Sequence, residues 1–224
     1  MLQLIMNSVG ATLSVASMFI VGMGAQPAHL KAKEEPKPKP ESSRPHHAKL
    51  LDSVEIRPSW KGRISKTVHR IKLHEKEYKK AGERSGVPWQ VVAALHNMES
   101  TGSFKKHLHE GSSLRGRTRW VPKGRPKIGN PPFTWQESAY DALYRLKRMD
   151  RYNWPDRGET CYQCEKYNGL GYLKYRKHIH SPYLWSGTWH YDKGKYVADG
   201  RFSNTARSSQ VGVVPILLEL NYFD

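Results

Sequence analysis

Val87, Val91, Val92, Leu95 and Met98 recur at three- and four-residue spacing, a pattern met by a helix with one buried face. Pro88 stands where a first helical turn tolerates a residue without an amide proton, and Gly86 and Gly102 bracket the run. The apolar turn closes on a carboxylate, Glu99. A carboxyl packed against apolar side chains loses hydration of its charged form, so its pKa rises and it can hold a proton near neutral pH. Such a group is suited to protonating a glycosidic oxygen. The pattern alone equally suits a surface acid at a helix end, and the rest of the chain has to decide between them.

Other stretches predict further helices. Residues 64–84 are strongly charged with a thin apolar stripe of Val68, Ile71, Leu73, Tyr78 and Ala81, which places one helix on the outside of the domain. A helix over about 134–150 follows from Trp135, Ala139, Ala142, Leu143 and Leu146, with Thr134 as its cap. Another is expected over about 158–167. The last covers about 204–220, where Val211, Val213, Val214, Ile216, Leu217, Leu218 and Leu220 supply a buried face despite Pro215. Two stretches rich in Gly, Pro and aromatics, 102–133 and 168–203, read as long loops of the kind that carry function. The fold class is therefore mostly α (α+β), with long aromatic-rich loops.

The 224-residue chain carries a formal net charge of +17, spread along its length, which favours polyanionic surroundings: nucleic acid, acidic lipid or an anionic envelope. Residues 1–28 contain no Lys, Arg, Asp or Glu and are rich in Leu, Ile, Val and Met. The hydrophobic segment 1–30 reads as an export signal, a weak membrane anchor or a segment that packs on other subunits. A linker over 31–63 follows, rich in Pro, Lys, Glu, Ser and His and centred on Lys37-Pro38-Lys39-Pro40, where proline holds the chain extended. The folded domain is expected to cover 64–224.

Several motifs resemble one family in the same order along the chain. Glu99-Ser100 at a helix end, followed by Phe104, resembles the first motif of goose-type lysozymes and soluble lytic transglycosylases, and Tyr167-Asn168-Gly169 resembles the segment closing their substrate cleft. A group of bacterial and phage lysozyme-family proteins is similar through His107-Leu108-His109, Val121-Pro122-Lys123-Gly124-Arg125-Pro126 and Tyr167-Asn168-Gly169-Leu170-Gly171-Tyr172. The similarity continues through Ser181-Pro182-Tyr183-Leu184-Trp185-Ser186-Gly187 and Gly194-Lys195-Tyr196-Val197-Ala198-Asp199-Gly200. It covers about 87–220 and none of the N-terminal third. It implies a lysozyme-like domain with a small β element and with Glu99 at the bottom of a sugar groove, acting on the β-1,4 bond between N-acetylmuramic acid and N-acetylglucosamine of peptidoglycan. It also implies a place in the periplasm or cell envelope, or in a phage virion as part of a tail or ejection apparatus.

Within that expectation Ser100, Tyr167, Asn168, Tyr183 and Trp185 are the candidate substrate-binding residues, taken from a wider set of loop aromatics that includes Trp120 and Trp189. Phage-type relatives pair the acid with an Asp and a Thr six residues later. Thr118 fits the Thr, but six positions earlier stands Ser112, which cannot serve as a base unaided. Glu110 is the candidate substitute. A route in which Glu99 acts alone, as in a lytic transglycosylase, removes the need for one. The partners expected are glycan strands, with membrane or virion-subunit contact through residues 1–30; nucleic acid is the less favoured alternative. A glycan-binding module with weakened catalysis, or a structural virion protein, is the other class of function left open.

No cofactor is expected. Cys161 and Cys164 lack a second ligand pair and read as buried thiols first and a disulfide second. The pairs His46-His47, His107 with His109, and His178 with His180 lack a complete ligand set and read as surface or loop-packing residues. His96, one helical turn before Glu99, is placed to touch the acid.

Overall fold

The computed structural model describes residues 44–198 and 200–224. The expectations for 1–30 and for 31–43 fall outside the described residues. Among the described residues no helix is long and apolar enough to cross a membrane.

The domain is mostly helical. The helix that ends in Glu99, α4 (Trp89–Ser100), is its centre: Val91, Val92, Ala93, Ala94 and Leu95 are fully buried, the two alanines letting neighbouring helices approach. Around it stand α3 (Glu75–Ser85) and α9 (Val213–Glu219). α9 is shorter than the expected 204–220, because Pro215 has no amide proton and clashes with a preceding turn. It is accommodated only within a first turn, which here begins at Val213. Gly212 just before it lies so close to Leu184 that a Cβ would sit 2.4 Å from that residue's carbonyl oxygen.

The single helix expected over 64–84 is two. α2 (Lys61–Lys72) buries Ile64, Val68 and Ile71 and packs toward α9, whereas α3 buries Tyr78 and Ala81 toward α4 and α5 (Trp135–Tyr140). Leu73, counted in one continuous stripe, lies at the break and is 67 % exposed. The expected helix at 134–150 starts at the α5 capping box, in which Thr134 accepts from the Glu137 amide and Glu137 accepts from the Thr134 amide. It continues through a π-helical turn over Asp141–Leu146.

The folded body begins before Ile64, which corrects the boundary at 63. α1 (Pro45–Asp52) packs on α6 (Arg157–Asn168): Nε2 of buried His47 lies 2.9 Å from Oε2 of buried Glu165, and Arg44 bonds Glu159. Residues 55–57 then run beside 187–189, with the amides of Arg57 and Trp189 bonded across to Gly187 and Glu55. α6 spans nearly the expected range and buries Cys161 and Cys164 as free thiols in the core, as first read.

Within 168–203 lie α7 (Gly171–Tyr175), α8 (Pro182–Trp185) and a hairpin of β1 (Lys195–Ala198) and β2 (Arg201–Ser203). The strands pair antiparallel, Tyr196 opposite Phe202, and this is the small β element. Tyr172 packs edge-on against Tyr196 and Phe202, fixing the hairpin to α7.

Candidate active site

Glu99 occupies the last turn of α4. That end is held from three directions. The chain leaves through Thr101 and Gly102 in left-handed conformations, Gly102 returning its amide to the His96 carbonyl. From far along the chain, Nε2 of Gln210 donates to the carbonyls of Asn97 and Met98 at 2.9 and 2.8 Å. The Asn97 carbonyl also accepts from the Thr101 amide, so Gln210 adds a second bond there and supplies one to the Met98 carbonyl at the open helix end. Ser100 donates to the His96 carbonyl one turn back, so its hydroxyl serves the helix.

Three elements surround Glu99. α8 brings Tyr183, whose phenol donates to Oε1 of Glu99 at 2.8 Å. The loop after α4 brings Glu110 and Gly111. Gly111 has φ +81° and lies so close that a Cβ there would be 2.6 Å from the Glu99 carbonyl oxygen, so only glycine fits. The turn after α5 brings Lys147, whose ammonium donates to the Tyr167 carbonyl at 3.1 Å and interacts with the Glu99 charge.

The Glu99 carboxyl is pushed up to about 7. Burial is the largest cause; the Tyr183 hydrogen bond and the Lys147 charge pull the other way, and the Glu110 charge adds to the rise. The negative end of the α4 dipole acts in the same sense as burial. Tyr183 is buried, and burial followed by the neighbouring Glu99 charge raises its phenol far above the ordinary range, so it stays a donor. Lys147 is lowered by burial and partly restored by Glu99.

No family model, curated protein or solved structure matches this chain.

The sequence candidates separate into those at the acid and those that serve the scaffold. Tyr183 touches Glu99. Glu110 acts on Glu99 through its charge; its Oε1 accepts from Ser112 Oγ and its Oε2 is buried. The Ser112 that replaces an expected Asp thus orients the nearby carboxylate. Tyr167 is buried and donates to the Leu108 carbonyl at 2.9 Å, bracing the loop that carries Glu110. Asn168, the last residue of α6, is exposed.

Three expectations need correction. Trp185 is 1 % exposed and packs edge-on to His190, a core residue with no face for a sugar. Thr118 is buried; its hydroxyl donates to the Pro122 carbonyl and accepts from the Arg125 amide, so it pins its own loop and has no proton left to hold water. His96 faces away from Glu99. Its Nδ1 accepts from Tyr78 and its Nε2 donates to the Ser103 carbonyl, and burial, the largest cause, lowers it to about 4 and keeps it neutral.

Lys147, Gly111 and Gln210 carry no signal in the sequence, since each acts through a contact that the folded chain alone creates. Behind the Glu110 loop, His107 and His109 meet Ser138, and the His109 and Arg125 side chains share the fully buried Asp141 carboxylate at 2.8 Å each. Among the described residues no cluster of His, Cys, Asp or Glu could hold a metal ion. Two hollows, of about 890 Å³ beside Trp154, Tyr222 and Phe223 and about 570 Å³ beside Ile64 and Leu218, lie at α1 and α2 and do not include Glu99.

Proposed function

We propose that the domain cleaves the β-1,4 glycosidic bond between N-acetylmuramic acid and N-acetylglucosamine in peptidoglycan. The observation that carries this reading is a half-buried helix-end carboxyl held up at about 7, with a tyrosine hydroxyl on one oxygen. A general acid near its operating pH combines a large protonated fraction with a good driving force for donation. Glu99 gives its proton to the bridging oxygen as the bond from C1 to that oxygen breaks. The carboxylate left behind is stabilised by the Tyr183 hydroxyl and the Lys147 charge.

Two continuations balance. In one, Glu110 takes a proton from water while the water oxygen bonds to C1, and a reducing end forms. In the other, ionised Glu99 takes the proton of the muramic acid 6-hydroxyl while O6 bonds to C1, and a 1,6-anhydro end forms. Glu110, whose charge acts on Glu99, supports the first. Mass spectrometry of fragments released from purified sacculi tests the function: muramic acid ends of either kind are expected, and intact sacculi contradict it. Reducing ends that vanish in Glu110→Gln are expected for the hydrolytic branch.

A second reading has its own observation. Thr118, the residue expected to position water, is fully engaged in its loop, as a glycan-binding module without turnover would allow. Binding to sacculi with no fragments released distinguishes it.

A further inference from the structure

Between Glu110 and Glu137 the chain holds six Lys or Arg and no Asp or Glu. Part of that charge is structural: Arg117 is bonded to the Pro126 and Gly129 carbonyls, and Arg125 to Asp141. The rest is presented outward. Arg119, Lys123 and Lys127 are exposed, and between them stand Trp120 at 71 %, Val121 at 90 % and Ile128 at 63 % exposure. Large apolar side chains this open are a cost in water unless a partner covers them.

The loop that carries them is preformed. The Thr118 amide bonds the Arg125 carbonyl at 2.8 Å, the Gly124 amide returns to the Thr118 carbonyl at 2.9 Å, and the Thr118 hydroxyl bridges Pro122 and Arg125. Arg117 ties the segment bearing Ile128 to the same stem. Residues 119–124 are therefore a fixed tip that does not have to be ordered on binding.

We propose that loop 117–129 docks on the surface of an anionic bilayer. Trp120, Val121 and Ile128 enter the region between headgroups and acyl chains, and Arg119, Lys123 and Lys127 pair with lipid phosphates. Indole rings favour that boundary, and long cationic side chains reach back to the headgroups while their stems stay apolar. Basic residues near an anionic leaflet each add to the attraction. The aliphatic members decide between partners. Val121 and Ile128 offer nothing to a phosphodiester backbone or a sugar hydroxyl, whereas hydrocarbon accepts both. The docking is separate from the 1–30 segment and independent of whether Glu99 is a catalyst.

The test uses the full chain and its variants on vesicles of phosphatidylglycerol, with phosphatidylcholine vesicles for comparison. Trp120→Ser combined with Val121→Ser, and separately Arg119→Gln combined with Lys123→Gln, are each expected to lower partitioning onto the anionic vesicles about tenfold. The second pair should leave binding to neutral vesicles unchanged. Circular dichroism should be unaltered, since these side chains project into solvent. Quenching by brominated lipid is expected to lose a component in Trp120→Phe, a readout that persists even if residues 1–30 hold every variant on the vesicle. Equal quenching in wild type and Trp120→Phe overturns the proposal. So does a loss of affinity for a short DNA duplex with vesicle binding and quenching intact, which would assign the loop to nucleic acid.

Discussion

The Tyr183 hydroxyl donates to Oε1 of Glu99 across 84 residues of sequence at 2.8 Å. Among the described residues it is the one direct side-chain hydrogen bond on a carboxyl whose burial holds it well above the ordinary range. A bond to the ionised form lowers a carboxyl pKa, so this contact limits how far burial can raise it. It also stabilises the charge of the ionised carboxylate.

Tyr183→Phe should therefore move the Glu99 titration above about 7. In a pH profile of glycan cleavage the alkaline limb shifts upward, while the rate at neutral pH falls by about tenfold as the carboxylate loses its donor. NMR titration of the Glu99 carboxyl carbon checks the shift independently. An unchanged titration would show that the hydrogen bond is weak in solution.

Glu99 also links stability to pH. The unfolded chain releases this proton near its ordinary value of 4.5 and the folded chain near 7. Below the lower value both states are protonated and the group costs nothing; as pH rises through the window the folded state loses stability. Glu99→Gln removes that loss. Urea melts should show the variant more stable by about 3 kcal/mol at pH 8, with no gain at pH 4.

α1 rests on His47 and Glu165, both buried. His47→Ala leaves the Glu165 carboxylate buried without its partner, at a cost of about 3 kcal/mol. The combined change His47→Leu with Glu165→Leu should cost less, because no charge is then stranded. Denaturant melts give the magnitudes, and faster amide exchange in Pro45–Asp52 locates the effect.

Burial raises the Asp141 carboxyl, but the His109 hydrogen bond and the Arg125 charge outweigh it and hold it below the ordinary value of 3.8. Such a group adds stability above its unfolded pKa that is lost as pH falls through the folded one. Asp141→Asn should cost about 2–4 kcal/mol near neutral pH and much less in strong acid. Since Asp141 anchors the histidine beside Glu110, the variant should also slow glycan cleavage.

How far the sequence spoke depended on whether a residue's role was local. The α4 stripe and the Thr134 cap were legible because their partners lie within a few residues. The break at Leu73 was not, since Leu73 continues the spacing of one helix while tertiary packing separates two. α1 was hidden in a tether-like composition, its docking resting on a pair 118 residues apart. Trp185 and Tyr183 were indistinguishable as loop aromatics; only the fold sends one to the core and the other to Glu99. Lys147 carried no local signal, because the acid it serves is brought to it by the packing of α4.

The central claim is that Glu99 protonates a glycosidic oxygen. The initial rate of fragment release from dye-labelled sacculi at pH 6, for wild type and for Glu99→Gln, tests it most directly. Glutamine keeps the shape and the Tyr183 contact but has no proton to give. The rate should fall by about 10²–10⁴-fold while binding to sacculi is retained. Equal rates for the two proteins would contradict the account.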